Sequence, residues 1–193
     1  MNREEKLVLV WINCYGGWNP ALRDPIEMKG YDQYLAGVVN YLKHLKGEIE
    51  AIYLSGGMLD QNGLTECRTV APELQNRLAS VGITEPIKCD EESVTSPSIV
   101  RKFLLTWRGK YPDYQPILFT DKVRFITNSY SLEYFSKKYN IALSPIKKIL
   151  IPIERPDTHP HSTVEYQKQK LERMKEEGVE AIEAEEIQKR SQL

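Results

Sequence analysis

The chain has 193 residues, 41% hydrophobic and 27% charged, with a formal net charge of −1. A single globular domain is the expectation, and the near-zero charge excludes a long-range pull on nucleic acid or an anionic membrane. Three cysteines, Cys14, Cys67 and Cys89, are odd in number, far apart and without a CxxC pair, which argues against a disulfide framework or a zinc site and for a reducing compartment.

In chain order, the charged start MNREEK is followed by an apolar run too short for a signal peptide. No stretch approaches the roughly 20 apolar residues of a membrane helix. These features predict a cytoplasmic protein. Residues 6–13 (KLVLVWIN) form a continuous apolar run, the pattern of a strand covered on both faces. Residues 31–45 carry Tyr34, Leu35, Val38, Leu42 and Leu45 at helical spacing. Residues 49–55 read as a second strand and 65–81 as a second helix, with Pro72 either kinking it or lying in its first turn. Residues 87–90 are a short third strand. Ser96 is the expected N-cap of the next helix, with Pro97 at its first position and Gly109 as its stop. A fourth strand is expected over 116–121, a helix ending near Tyr139, and a fifth strand over 147–153. This alternation predicts a Rossmann-like, doubly wound α/β domain with a mainly parallel five-stranded sheet and helices on both faces.

A Pro- and His-containing loop leads into a charged tail from residue 163. Val164, Leu171, Met174 and Ile182 give the tail a thin apolar stripe, interrupted by Gly178. It reads as a helix lying on the domain; the alternative is an oligomerisation arm and a homo-oligomer.

Ligands of open α/β sheets bind beyond the carboxyl ends of the strands. There the sequence places Asn13 to Trp18, then Ser55-Gly56-Gly57. Asp90 to Ser93 follow with Ser96, then Thr120-Asp121-Lys122 with Arg124, and finally Glu154, Arg155, His159 and His161. Gly16, Gly17, Gly56 and Gly57 would offer backbone N–H groups to a ligand, with helix dipoles at residues 65 and 96 favouring an anion. The tight turn is the competing reading of the two glycines after the second strand. Glu66 and Glu92 are the candidate catalytic carboxylates. Ser55, Ser93 and Ser96 would hydrogen-bond an anionic group, and Lys122 and Arg124 would neutralise it. Tyr15 or Trp18 would stack on an adenine-like ring. His159 and His161 lack a third ligand, and no metal is assigned. Cys14 reads as a small buried apolar residue. No GxGxxG or GxxxxGK[ST] fingerprint is present.

Leu54-Ser55-Gly56-Gly57, the helix-start step Thr65-Glu66-Cys67, the acidic-Ser pair Glu92-Ser93, and Thr120-Asp121 near a strand end follow one another over residues 6–153. In this order they resemble the YdcF/SanA/ElyC-like family of Rossmann-like bacterial proteins. Ser96-Pro97-Ser98-Ile99 stands where that family has Thr-x-Glu-Asn. The family's later His-x-x-Arg is either replaced by Lys122 and Arg124, or Thr127-Asn128 is the true strand-end counterpart, with Ser131 and Tyr134 as the replacements. The resemblance implies a YdcF-type domain over residues 1–155, a loop and helical tail over 156–193, and S-adenosylmethionine as a ligand. The resulting expectation is a small anionic or nucleotide-like ligand at the carboxyl edge, with hydrolysis or group transfer there. The alternative is a non-catalytic binding or assembly module whose family site is degenerate.

Overall fold

The computed structural model describes residues 7–14, 25–45, 48–60, 62–143, 145–154 and 163–190. Five strands, β1 (Leu7–Asn13), β2 (Glu48–Ser55), β3 (Ile87–Asp90), β4 (Gln115–Asp121) and β5 (Leu150–Ile153), form one sheet in the order β3-β2-β1-β4-β5. Every pairing is parallel. The central run of β1, Val8 to Asn13, is buried throughout, as an interior strand covered on both faces requires.

The helices divide between the faces as right-handed crossovers demand. On one face α1 (Pro25–Lys43) and α2 (Glu66–Ala79) cover Val8, Val10, Ile12, Ile52, Leu54, Ile117 and Phe119. On the other, α3 (Ser96–Lys110) and α4 (Phe125–Lys138) cover Leu9, Trp11, Ala51, Leu118 and Leu150. The direction in which successive strands are added reverses between β1 and β4, the switch point where such sheets hold ligands. Among the described residues no helix is long and apolar enough to cross a membrane.

Several expected boundaries move. Pro72 lies inside α2, exposed to solvent, and neither opens the helix nor ends it. Thr95, not Ser96, caps α3. Its hydroxyl accepts from Ser98 N–H while Ser98 Oγ accepts from Thr95 N–H, a closed capping box. Gly109 does not stop that helix; it lies within it, and Tyr111 N–H closes the end on Trp107 carbonyl at 2.9 Å. The run expected as one strand over 147–153 is split, because Ile146–Ile149 forms a short helix, α5, before β5 begins.

The tail is two helices, α6 (Val164–Glu176) and α7 (Val179–Arg190), separated by Gly178 at φ 96°. Both pack on their own domain. Met174, Val179 and Ile182 join the α3/α4 core, and Thr127 Oγ1 donates to Gln167 Oε1 at 2.8 Å. Glu180 holds Lys138 and Tyr134, and the Arg101 guanidinium lies 2.7 Å from the buried Glu183 carboxylate. Burial pushes the Glu183 carboxyl up, against the pull of Arg101. The folded chain therefore holds this proton more tightly than the unfolded chain does. Its contribution is full below the ordinary carboxylate range and is lost as pH rises through the raised value. Glu183→Gln should flatten that part of the dependence of melting temperature on pH between mild acid and neutrality. An unchanged profile would place the titration elsewhere.

Candidate functional site at the carboxyl edge of the sheet

β1 to β4 bring polar side chains to the same level. Ser55 is in register with Asn13 on one side and Asp90 on the other. Ile12 pairs with Phe119, so Thr120 is the next residue of β4 beside Asn13. The alternation of the pleat sends all four to the face covered by α3 and α4. Asn13, Ser55 and Thr120 are fully buried, and Asp90 nearly so.

This row is joined by hydrogen bonds. Trp11 Nε1–H donates to Ser55 Oγ at 2.6 Å, and Ser55 O–H donates to Asp90 Oδ2 at 2.6 Å. Asp90 Oδ1 accepts from Glu92 N–H at 3.3 Å. At the other end, Asn128 Nδ2 of α4 donates to Thr120 Oγ1 at 2.6 Å. Asn128 is wholly buried, and its Oδ1 has no partner among the described residues. Turning the amide over would only exchange which end is left over.

The two glycines after β2 serve the protein itself. A Cβ on Gly56 would lie 2.6 Å from Cys14 Cβ and 2.9 Å from Glu66 Cβ; one on Gly57 would collide with the Glu91 carbonyl. Their N–H groups are not open to a ligand, contrary to expectation: Gly56 donates to Asp90 carbonyl at 3.1 Å and Gly57 to Ser93 carbonyl at 3.0 Å. The start of α2 is closed in the same way, since Glu66 N–H bonds Met58 carbonyl and Cys67 N–H bonds Gly56 carbonyl. The tight-turn reading is the one the geometry supports, with the turn clasping the β3–α3 loop.

The charged candidates scatter. Glu92 is four-fifths exposed and paired with Lys102 of α3. Lys122 reaches outward to Glu154, and Arg124 folds back on buried Asp121, whose Oδ1 also accepts Arg124 N–H at 2.7 Å. Ser93 is buried in the loop that Gly57 grips, and Ser96 is the first residue of α3 beyond its cap. Glu66 is the carboxylate that stays at the edge, with Oε2 3.0 Å from where a Gly56 Cβ would be. Burial, with the Glu66 charge adding to it, pushes the Cys14 thiol up, so Cys14 is neutral and packed rather than a primed nucleophile.

Thr127 and Asn128 lie inside α4. The strand-end position therefore belongs to Thr120 and Asp121, and Ser131 and Tyr134 bond Thr127 carbonyl and Glu180 instead. Tyr15, Gly16, Gly17, Trp18, His159 and His161 lie outside the described residues. Asn13, Asp90 and Asn128 are the site residues that sequence reasoning left out of its set. The first two end their strands, which was a usable signal; Asn128 was named only as an alternative strand-end residue, whereas it lies inside α4 and reaches Thr120 from there. No family model, curated protein or solved structure matches this chain.

Proposed function

We propose that the chain binds a small nucleotide-like ligand at the switch point between β1 and β4, against Asn13, Thr120 and Asn128. The observation that carries this reading is the unpartnered Asn128 Oδ1, buried beside Thr120 at the edge where doubly wound sheets hold ligands. Leaving such an atom unpaired costs roughly 1–3 kcal/mol, and a ligand hydroxyl or amine would recover it. The neighbouring donors and cations are already spent on protein partners, so the favoured contacts are to hydroxyl and amino groups rather than to phosphate. A nucleoside such as S-adenosylmethionine, the ligand implied by the YdcF-like resemblance, has these groups. If hydrolysis or group transfer accompanies binding, Glu66, the edge carboxylate beside Gly56, is the candidate to serve it.

A second reading has its own support. Ser55, Gly56, Gly57, Glu92, Lys122 and Arg124 are satisfied within the chain, as in a binding or assembly module with a degenerate site. Thermal unfolding against S-adenosylmethionine, adenine nucleotides, sugar phosphates and inorganic phosphate separates the two. A ligand at about a hundred times its dissociation constant stabilises by roughly 2.7 kcal/mol, which at roughly 2–4 °C per kcal/mol is a rise of about 5–11 °C. Asn128→Leu should abolish that rise while leaving the unliganded melting temperature within a few degrees. No rise with any compound would favour the module.

A further inference from the structure

The tail contains a buried amine beside a cavity. Lys170 lies on α6 one turn beyond Gln167, the residue that bonds Thr127, so it faces the body of the protein. Its side chain is only 9% exposed, a depth at which lysine is rare unless paired. Lys170 Nζ donates to Glu186 Oε1 of α7 at 2.5 Å. Glu186 Oε2 is buried as well and has no partner among the described residues. Both side chains line a cavity of about 200 Å³ between α6 and α7, together with Tyr166 and Ile182. Two further cations on its wall, Arg173 and Lys189, are each bound to Glu185.

We propose that Lys170 is a Schiff-base nucleophile: with Glu186 as its proton carrier, it condenses with a short aldehyde held in the cavity between α6 and α7. The hydrogen bond between the two side chains supplies the proton path, and the cavity supplies the space for the carbonyl carbon. Burial pushes the Lys170 amine down from its ordinary range against the pull of Glu186, and the Arg124 and Arg190 charges push the same way as burial. A lysine so placed can give up its proton and attack as the free amine. The class of substrate follows from the walls. Ile182 and Tyr166 offer apolar surface to a short alkyl chain, and Glu185 already satisfies Arg173 and Lys189, so no anionic group is called for.

The chemistry balances. The Lys170 ammonium passes one proton to the Glu186 carboxylate. The freed nitrogen pair attacks the carbonyl carbon; a C–N bond forms, and the carbonyl pair moves onto oxygen. A proton moves from nitrogen to that oxygen and leaves a neutral carbinolamine. Glu186 then returns its proton to the hydroxyl, the C–O bond breaks, and the nitrogen pair closes the C=N bond. One ammonium and one aldehyde give one iminium and one water, with nothing oxidised or reduced. The iminium carries the same single positive charge opposite the same carboxylate, so the buried ion pair is restored and no net charge is moved into or out of the cavity.

The test is reductive trapping on the full chain near neutral pH, with limiting propionaldehyde and cyanoborohydride, followed by a time course of peptide maps. Cyanoborohydride reduces the iminium and leaves a propyl group on the nitrogen that formed it. The expected result is a propyl group on Lys170 that appears about tenfold or more faster than on the exposed Lys175 and Lys189 of the same tail. Each unit by which an amine is lowered raises its free fraction near neutrality about tenfold. Lys170→Arg keeps a cation opposite Glu186 and cannot form an imine, so the fast label should vanish while the slow ones stay. Labelling of Lys170 no faster than that of Lys175 and Lys189, or none at all on Lys170, would overturn the proposal. If Lys170→Arg fails to fold, the rates within the unaltered chain still decide.

Discussion

Ser55→Ala should cost about 4 kcal/mol of stability, because one hydroxyl serves two buried groups at once. Ser55 Oγ accepts the Trp11 indole N–H and donates to Asp90, both at 2.6 Å. Removing it strands a buried donor and a buried carboxylate oxygen, and the indole cannot turn to find another acceptor because it is stacked on Tyr53 at 4.5 Å. At roughly 2–4 °C per kcal/mol for a chain of this length, the melting temperature falls by about 8–16 °C. The double variant with Asp90→Ala should fall less than the two single changes added together, since the second substitution removes a group the first had already stranded. A loss below about 1 kcal/mol would mean that water replaces the hydroxyl in the row, and the edge would then be far wetter than its burial indicates.

The second large effect is expected at Gly57. A methyl group there would lie 2.9 Å from the Glu91 carbonyl carbon and 3.1 Å from Val94 Cγ1. The backbone cannot retreat without breaking the Gly57 N–H bond to Ser93 and the neighbouring Gly56 N–H bond to Asp90. Gly57→Ala should therefore cost about 3 kcal/mol. Gly109→Ala is the control of opposite sign. It lies inside α3 with nothing within 4 Å of the added carbon, and it should gain roughly 0.5–1 kcal/mol from helix propensity. Equilibrium urea unfolding of both variants reads the pair of signs directly. Equal effects would mean that the β2–α2 turn relaxes freely.

How much of this could be read from sequence depends on the range of the cause. β1 and β4 were legible because the middle of a strand buried on both faces is a continuous apolar run, as Leu7 to Ile12 and Pro116 to Phe119 are. The doubly wound architecture followed from the alternation of periods. Local competition decided the misses. Thr95 outbid Ser96 as cap because Ser98, three residues on, could return the bond. Lys147 and Lys148 fell within a short helix, although the run they open continues as a strand. The tight turn at Gly56 and Gly57 was one of the two readings the sequence offered, but what it clasps was not legible, since Asp90, Glu91 and Ser93 are brought alongside only by the β2–β3 pairing.

The placement of β1 at the middle of the sheet has a consequence for synthesis. Its first neighbour, β2, follows after one helix, but the partner of its other edge, β4, is made about a hundred residues later. At ribosomal rates that is a wait of roughly 5–20 s. Throughout it, one side of the most apolar strand in the chain has no ladder to join. The nascent protein must pass through a half-sheet with a bare, sticky flank, the species on which a holding chaperone would act.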